Sequence, residues 1–450
     1  MSNFIKISRF NRDKDLNRDY SRCDASKYKP LNKTEALQLI KQRSVYIWGA
    51  GQKGRGFRAA LERNGIPAVG FIDSSPAIAE AEKIDGLPVM YPHEFFKCET
   101  PSTAFVLTAS VDKKNAEIAE VLAKNGFSKD QAFSDIQTFC PFYPTVEITG
   151  ICNLRCSSCV RADPGLIPNG KYMSFEDYKL VIDKMVLDIP FVYLVDLYVF
   201  GEPILNKDLP KIIEYNHELG IASGISTNLN KIDNLRAVMK AKPAQIRISI
   251  SGLSKETYEL THTGGKWHKV SKHLRTLRDL RDEFTTAETG STLVEFYFHL
   301  YKHNMHEVSL AKALCDDYGF RFHPALAVLF SDFVLDYRKS GSLNDKAKTA
   351  SDLTLLSLDK LIIDCDEYSD KNCILTRIIP VINWDLSVMA CCNYTYSSIH
   401  TNYLDCEFDE LVSRRTKSNL CADCQDHSLH RWNDQIQYQD FVREVVTGAI

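Results

Sequence analysis

The sequence has little excess charge of either sign and no long apolar run. Its 55 basic and 58 acidic residues leave a net charge of −3, which does not favour avid binding to nucleic acid or to an anionic membrane. The most apolar stretch, PFVYLVDLYVFG at 190–201, is too short to span a bilayer and contains Asp196. The first residues lack the apolar core of a secretory leader. We therefore expect a cytoplasmic protein with no nucleic-acid partner and no membrane span.

The 14 cysteines stand out against this background. Because the cytoplasm is reducing, clustered cysteines there indicate metal or redox sites rather than structural disulfides. Cys23, Cys98 and Cys140 stand alone, and we interpret them as small buried apolar side chains. The others fall mainly into two groups, one at 152–159 and one beyond 360, which predict two sites of metal chemistry.

A glycine-rich turn, WGAGQKGRG at 48–56, follows a short apolar strand and begins a helix. It contains G-x-G-x-x-G as Gly49, Gly51 and Gly54, and Asp73 closes the next strand. Such glycines let a phosphate approach the helix N-terminus, and the acid can hold a ribose hydroxyl. We predict binding of a nucleotide or nucleotide-sugar, the alternative being a scaffold whose glycines serve packing. The turn, with GFIDSSP and GLPV after it, resembles the small Rossmann-like domains of sugar acyltransferases and sugar methyltransferases.

A second α/β series begins after two prolines in PFYP. Its apolar segments alternate with helical patterns, which predicts a partial barrel of six βα units with its site at the C-terminal ends of the strands. The fold class is therefore α/β, and the predicted domains are an N-terminal extension (1–40), a Rossmann-like nucleotide-binding domain (41–140), a partial (β/α)6 barrel (141–345) and a small cysteine-rich domain (346–450). The predicted barrel strands are 145–149, 192–199, 221–226, 245–251, 293–300 and 320–328.

Three cysteines, Cys152, Cys156 and Cys159, follow the first barrel strand as C-x-x-x-C-x-x-C. A structural zinc site is normally closed by four ligands. Three thiolates on a cluster of four irons leave one iron open. The odd count therefore favours an iron–sulfur cluster that binds an exogenous ligand.

This spacing in this position resembles the signature of the radical SAM superfamily, although Ser158 stands where that family often has an aromatic residue. The resemblance implies that S-adenosylmethionine binds the open iron of a 4Fe–4S cluster. It also implies reductive cleavage to a 5′-deoxyadenosyl radical, hydrogen abstraction from a substrate, and an electron donor such as flavodoxin or ferredoxin.

The resemblance extends to the following strands. YVFGEPILN at 198–206 resembles the GGEP motif, which implies that Glu202 accepts a hydrogen bond from the methionine amino group. In GISTNLN, Ser226 and Asn228 resemble the positions that hold the methionine carboxylate and ribose. Ser249 and Ser251 resemble polar positions that contact ribose.

The C-terminal cysteines include Cys373 and Cys391, placed across a predicted hairpin at 382–392, and a C-x-x-C formed by Cys421 and Cys424. These four resemble the shortened SPASM, or twitch, module of radical SAM dehydrogenases, which implies a second, auxiliary 4Fe–4S cluster. Cys392 remains an alternative to Cys391. A rival interpretation is a zinc site formed by Cys421, Cys424, His427 and His430.

The resemblance implies a radical SAM oxidoreductase or epimerase acting on a nucleotide-sugar, a glycan or another small molecule. One alternative is a SPASM enzyme that modifies peptides, but such enzymes usually carry a winged-helix domain where this chain has the Rossmann-like unit. The other is a non-catalytic iron–sulfur or zinc scaffold. We assign no acid–base residue, and we interpret three histidines near strand ends as structural: His299, His303 and His323.

Overall fold

The fold is known from a computed structural model that describes residues 22–79, 83–110, 112–162, 170–285, 291–395, 397–432 and 438–448. Most of the predicted N-terminal extension, residues 1–21, lies outside these ranges. The described chain is a mixed α/β structure with one six-stranded and one nine-stranded sheet, which confirms the predicted fold class. Within it, no helix combines the length and the apolar character needed to cross a membrane.

The N-terminal part forms the six-stranded sheet. Its elements are α1 (Lys33–Ile40), β1 (Ser44–Trp48), α2 (Gln52–Arg63), β2 (Ala68–Ile72), α3 (Pro76–Ala79), β3 (Lys83–Ile84), β4 (Leu87–Met90), α4 (Pro92–Cys98), β5 (Ala104–Thr108), α5 (Asp112–Lys124), β6 (Phe133–Asp135) and α6 (Ile136–Phe139). The strand order is β3-β4-β2-β1-β5-β6, and only the β3–β4 pair is antiparallel. The order therefore reverses between β1 and β5, beside the glycine turn.

The central part supplies six parallel strands of the larger sheet. Its elements are β7 (Thr145–Val146), α7 (Phe175–Asp188), β8 (Leu194–Asp196), α8 (Leu209–Glu218), β9 (Ala222–Thr227), α9 (Leu235–Lys240), β10 (Gln245–Ile250), α10 (Lys255–Thr261), α11 (Trp267–Phe284), β11 (Leu293–Leu300), α12 (Val308–Tyr318) and β12 (Arg321–Leu326). Strands β7 to β12 lie side by side in chain order, all parallel. Each overlaps a predicted strand.

The C-terminal part continues the same sheet beyond β7. Its elements are α13 (Ser331–Ser340), α14 (Asp345–Leu353), α15 (Leu358–Glu367), β13 (Val381–Ile382), β14 (Val388–Met389), β15 (Ser398–His400), α16 (Phe408–Thr416), α17 (Asn419–Asp426) and α18 (Gln439–Thr447). β13 pairs in parallel with β7, whereas β14 and β15 add antiparallel strands. The predicted hairpin is therefore confirmed, and it attaches the cysteine-rich part directly to the first barrel strand.

Alternation along the barrel strands separates an apolar face from a polar one. On β10, Ile246, Ile248 and Ile250 are fully buried, while Arg247 and Ser249 between them are only partly buried. Because side chains alternate across a strand, the isoleucines lie on one face and the polar residues on the other. β11 repeats the pattern with buried Phe296 and Phe298. The polar face forms the lumen of the partial barrel.

Helix α2 joins the N-terminal sheet to the barrel. The Phe57 ring packs edge-on against Phe139 and Tyr193, with centroids 5.8 and 5.6 Å apart. The Arg63 guanidinium donates to the carbonyl oxygens of Leu219 and Pro190, 2.6 and 3.1 Å away. These barrel residues precede β8 and β9, so the N-terminal domain abuts the end of the barrel opposite the C-terminal strand ends.

The close contact between α2 and the glycine turn generates a stability prediction. A Cβ at Gly54 would collide with the carbonyl oxygen of Gly49, whereas a Cβ at Gly51 would meet nothing within 4 Å. We expect Gly54→Ala to lose about 1–3 kcal/mol through overpacking, seen as a lower unfolding temperature by calorimetry. The matched Gly51→Ala variant should stay close to the wild type. Equal unfolding temperatures for the two variants would contradict this packing.

Candidate metal centres and cofactor site

The first cysteine group lies on a loop that leaves the C-terminal end of β7. Backbone amides of Arg155 and Ser157 donate to the carbonyl oxygens of Thr263 and Thr261, 2.9 and 3.0 Å away. The loop is thus pinned to the end of α10. These bonds fix the backbone between Cys152 and Cys159, so the three thiols are held on one short loop before any metal binds.

Each end of the loop also aims a backbone amide at a sulfur. The Leu154 amide lies 3.5 Å from the Cys152 Sγ, and the Arg161 amide lies 3.5 Å from the Cys159 Sγ. Burial raises the pKa of Cys152 to about 11 and also raises the pKa of Cys156 and Cys159, while these amides oppose the rise. Metal binding must therefore displace protons from the thiols, and the amide donors favour the thiolate form.

Glu202 and Asn228 lie next to this loop, as the sequence predicted. Glu202 is 3% exposed, and its carboxylate accepts hydrogen bonds from the amides of Asn228 (2.8 Å) and Ile204 (3.3 Å). Burial raises the pKa of Glu202 to about 7 despite these bonds. The Asn228 side-chain amide lies 3.0 Å from the Asn153 Oδ1 and 3.8 Å from the Cys152 Sγ. The ends of β8 and β9 therefore meet the cysteine loop.

The predicted serine positions follow on β9 and β10. The Ser226 and Ser249 hydroxyls are 3.5 Å apart on neighbouring strands. Ser251 is buried, and its hydroxyl lies 3.2 Å from the His299 Nδ1. The Ser158 hydroxyl forms a hydrogen bond with the hydroxyl of buried Tyr301, 2.9 Å away. Ser226 and Ser249 thus share the lumen face, whereas Ser251 is engaged with a histidine.

Sequence reasoning missed Glu147, which shapes the GEP segment. Its buried carboxylate accepts hydrogen bonds from the amides of Phe200 (2.6 Å) and Gly201 (2.7 Å). Burial raises the pKa of Glu147 to about 7, and the two amides and nearby Arg161 oppose that rise. The one available signal was an acidic residue in an otherwise apolar strand segment, TVEIT. Glu147 therefore sets the backbone that presents Glu202.

The second cysteine group converges on one cavity in the C-terminal part. Five cysteines line this cavity: Cys23, Cys373, Cys391, Cys421 and Cys424. Cys392 is not among the lining residues, while its neighbour Cys391 is. The four residues predicted to hold an auxiliary cluster are thus brought together, and the choice of Cys391 over Cys392 remains a prediction that the cavity supports.

Two of the isolated-cysteine interpretations need correction. Cys23 is buried but not alone, because it packs against Cys373 and Cys421. Cys98 is exposed, since it ends α4 at the surface, and is not a core residue. Cys140, which is fully buried, and Cys23, which is 2% exposed, both match the predicted burial. Cys23 was misread because its neighbours lie at the far end of the chain.

A buried arginine, Arg415, accompanies the cysteine cavity. It is 1% exposed and donates to the carbonyl oxygens of Ala390 (2.8 Å), Leu375 (2.8 Å) and Cys23 (3.3 Å). Among the residues described, no carboxylate forms an ion pair with it. Burial opposes the charged form, but the thiols of Cys421 and Cys391 raise the pKa of Arg415. A buried cation is costly unless it is hydrogen-bonded or paired, so the three carbonyl oxygens stabilise Arg415 and negative charge on the neighbouring thiols would stabilise it further.

The rival zinc set is not assembled. A tetrahedral zinc with Zn–S bonds of about 2.3 Å holds its sulfurs about 3.8 Å apart. Within the described chain, the metal-ligand atoms found within 4.8 Å of one another belong to a different set: His400, Cys406 and Glu410. His430 lines the cavity, but its Nε2 lies 3.1 and 3.0 Å from the carbonyl oxygens of Ser369 and Lys371, and His427 lies outside it. Cys421 and Cys424 therefore share the cavity with other cysteines and not with both histidines.

The glycine turn holds its predicted residues together in the N-terminal sheet. Gly49 has a φ of +113°, which favours glycine. The Asp73 carboxylate accepts hydrogen bonds from the amides of Ala50 and Ser75, both 2.9 Å away. Both carboxylate oxygens are thus engaged within the turn. Nucleotide binding by Gly49, Gly51, Gly54 and Asp73 stays a prediction.

Comparison with known proteins identifies the central part of the chain. Residues 146–306 match the model of the radical SAM superfamily. This range contains the cysteine loop and β8 to β10, and it makes this part of the chain a radical SAM domain. The family uses a 4Fe–4S cluster and S-adenosylmethionine.

Among curated proteins, the chain is similar to the Fe-coproporphyrin III synthase of Methanosarcina barkeri, with 35% identity over 107 residues, 24% of this chain and 25% of that protein. It is also similar to the GTP 3′,8-cyclase of Synechocystis sp., with 27% identity over 121 residues, 26% of this chain and 36% of that protein. The chain thus spans about a third or less of these relatives.

Among solved structures, it is similar to Streptococcus suis SuiB bound to S-adenosylmethionine, with a TM-score of 0.41, 14% identity, and coverage of 60% of this chain and 63% of that one. It is also similar to BtrN in complex with AdoMet and 2-DOIA, with a TM-score of 0.34, 14% identity, and coverage of 66% and 89%.

The chemistry of the two donor sets fits the cofactors of the family. Three partly buried thiols on one loop, with backbone amides aimed at two of the sulfurs, suit a cluster with one open iron. Buried polar groups on the next two strand ends suit the charged amino-acid part of S-adenosylmethionine. The second cavity offers thiols and a buried cation, which suit a further anionic centre.

The two donor sets give a direct prediction of iron content. After anaerobic reconstitution with iron and sulfide, we expect about eight irons per chain in the wild type, because each cubane carries four. Cys424→Ala should reduce this to about four, whereas Cys98→Ala, at an exposed cysteine, should leave it unchanged. Iron counting with zinc analysis checks both. About four irons in the wild type, or stoichiometric zinc, would contradict a second cluster.

Proposed function

We propose that the chain is a radical SAM enzyme that removes a hydrogen atom from a hydroxyl-rich substrate of the sugar class. The substrate, a nucleotide-sugar or another glycan, is then oxidised to a ketone or epimerised. The observation that carries this proposal is the polar lumen of the barrel, which offers hydrogen-bonding side chains rather than an apolar pocket. Besides the serines predicted to hold S-adenosylmethionine, its polar lining includes Asp196, Tyr198, Arg247, Tyr297 and His299.

Arg247 is the central cation of this lumen. Its guanidinium carbon lies 3.4 Å from the Tyr297 ring centroid, and its buried Nε makes no hydrogen bond among the described residues. An unpaired buried donor beside an aromatic face suits an acceptor on a substrate, such as a sugar hydroxyl or a phosphate oxygen. We therefore assign Arg247 a substrate-binding role.

Two titratable groups flank Arg247. Burial raises the pKa of Asp196 to about 6, and Arg247 opposes this rise. Burial, reinforced by Arg247, lowers the pKa of His299 to about 3. At neutral pH the Asp196 carboxylate is therefore largely ionised and can accept a proton, while the His299 ring is neutral. A carboxylate poised near neutral pH suits loss of a hydroxyl proton during oxidation.

In this proposal, Cys152, Cys156 and Cys159 hold the first cluster, while Glu202, Asn228, Ser226, Ser249 and Ser251 hold S-adenosylmethionine. When bound, these cofactors would supply the radical chemistry that removes a hydrogen atom from the substrate, with an external donor providing the electron. Cys373, Cys391, Cys421 and Cys424 hold the second cluster, which would supply an acceptor for one electron. The protein's own part is to bind and orient the substrate and to exclude water.

The position of Cys392 bears on the choice between the two outcomes. Cys392 follows Cys391 in the sequence but does not line the auxiliary cavity, so its thiol is not assigned to that centre. A thiol beside the substrate would return a hydrogen atom to the substrate radical, and the external electron donor and a proton would then restore the thiol, so the substrate would be epimerised without net oxidation. Deuterium uptake from D₂O into recovered substrate would favour epimerisation, and a ketone product would favour oxidation.

The proposal is tested by substrate-dependent formation of 5′-deoxyadenosine, measured by mass spectrometry under reducing, anaerobic conditions. We expect nucleotide-sugars to stimulate turnover more than peptides. Arg247→Met should reduce the stimulated rate roughly ten- to a hundredfold, because a buried charged hydrogen bond is worth about 1.5–3 kcal/mol. Unstimulated cleavage should persist.

The matched control is Arg275→Met, since Arg275 is exposed on α11. This variant should keep the stimulated rate of the wild type. Stimulation by peptides alone would replace the sugar proposal with a peptide-modifying one. Full stimulation of Arg247→Met would remove the assignment of Arg247.

A further inference from the structure

Cys23 reaches the auxiliary cavity from the opposite end of the chain. It precedes α1, yet its thiol is 2% exposed and lines the same cavity as the four C-terminal cysteines. It packs directly against Cys373 and Cys421, with Leu375 beside them. A fifth thiol therefore faces a site for which the proposed centre needs only four.

The backbone around Cys23 is fixed by the cysteine-rich part. The Cys373 amide donates to the Arg22 carbonyl oxygen at 2.9 Å, and Arg415 donates to the Cys23 carbonyl oxygen at 3.3 Å. The Ala25 amide lies 3.3 Å from the Thr416 Oγ1. Three contacts thus hold residues 22–25 against the 373–376 segment and the end of α16. The placement of the Cys23 thiol is built into the fold.

The proposed centre needs four thiolates, which Cys373, Cys391, Cys421 and Cys424 already supply. Cys23 packs against Cys373 and Cys421 in the same cavity, so its thiol lies beside proposed ligands as a fifth group. A thiol in contact with a ligating sulfur is instead placed to donate a weak S–H hydrogen bond to it. Hydrogen bonds to the sulfurs are among the factors that set the reduction potential of an iron–sulfur cluster.

We propose that Cys23 is a positioning residue of the auxiliary centre, whose S–H group donates to the Cys373 sulfur and raises the reduction potential of the centre. This inference rests on the proposed auxiliary cluster. The donor stabilises the more negative, reduced state more than the oxidised one. The segment before the first domain thereby tunes how readily the last domain accepts an electron.

The test uses the full chain with Cys152, Cys156 and Cys159 replaced by alanine, so that only the auxiliary centre gives a signal. Iron content and the midpoint potential, from an EPR-monitored redox titration, are measured for this parent and for added Cys23→Ser and Cys23→Ala. The control is Cys140→Ala, at a buried cysteine whose Sγ lies 3.4 Å from the Phe142 carbonyl oxygen. We expect about four irons in every protein.

The expected order of midpoint potentials places Cys23→Ala lowest, Cys23→Ser between it and the parent, and Cys140→Ala equal to the parent. Serine keeps a donor of similar size, so its partial rescue separates hydrogen bonding from packing. Loss of iron from Cys23→Ala would overturn the proposal, because it would show that Cys23 is a ligand. A midpoint potential of Cys23→Ala equal to that of the parent would also overturn it, because Cys23 would then serve packing alone. A parent without iron would instead overturn the auxiliary centre itself.

Discussion

The proposed chemistry depends on a four-iron cluster for which the loop after β7 offers only three thiol ligands. Cys152, Cys156 and Cys159 supply three thiols, and the neighbouring strand ends bring a buried carboxylate and an amide toward the same point. A fourth protein ligand would make the site inert, whereas a missing one reserves a position for a small molecule with its own amine and carboxylate. The parallel sheet makes this possible, because the C-terminal ends of β7, β8 and β9 lie side by side.

Buried charged side chains fix the loops around the two candidate sites through hydrogen bonds to backbone groups. Glu147 holds the backbone of the GEP segment through two amides, and Glu202 in turn accepts the amide of Asn228. In the C-terminal part, the Arg415 guanidinium donates hydrogen bonds to three carbonyl oxygens, each on a segment that carries a cysteine. Since desolvated charges are costly unless paired or hydrogen-bonded, these residues fix loops that hold no regular structure of their own. The continuous sheet from β12 to β15 joins the segments that carry the two candidate centres.

Sequence reasoning succeeded where the signal is local. The order of strands β7 to β12, the cysteine loop and the hairpin before Cys391 follow from periodicity and spacing within short windows. It failed where contacts join distant segments. Cys23 looks solitary in the sequence because its partners are Cys373 and Cys421, and Glu147 resembles an ordinary strand residue until its amide donors are known. The assignment of Cys98 to the core failed for a different reason, since the last residue of a short helix can face either way.

The position of the N-terminal sheet limits what it can do for the reaction. It packs through α2 on the end of the barrel away from the cysteine loop, so a nucleotide at the glycine turn would not reach the radical site directly. A role in holding a distant part of a larger substrate, or in scaffolding, is compatible with this geometry. In the proposed function, substrate selection near the reacting atoms is therefore assigned to the lumen residues around Arg247.

The most direct test of the central claim is electron–nuclear double resonance on the reduced protein with isotopically labelled S-adenosylmethionine. The account predicts that ¹⁵N in the methionine amino group and ¹⁷O in its carboxylate show hyperfine coupling to the cluster held by Cys152, Cys156 and Cys159. Absence of both couplings from a protein that contains this reduced cluster and bound S-adenosylmethionine would contradict the open coordination site.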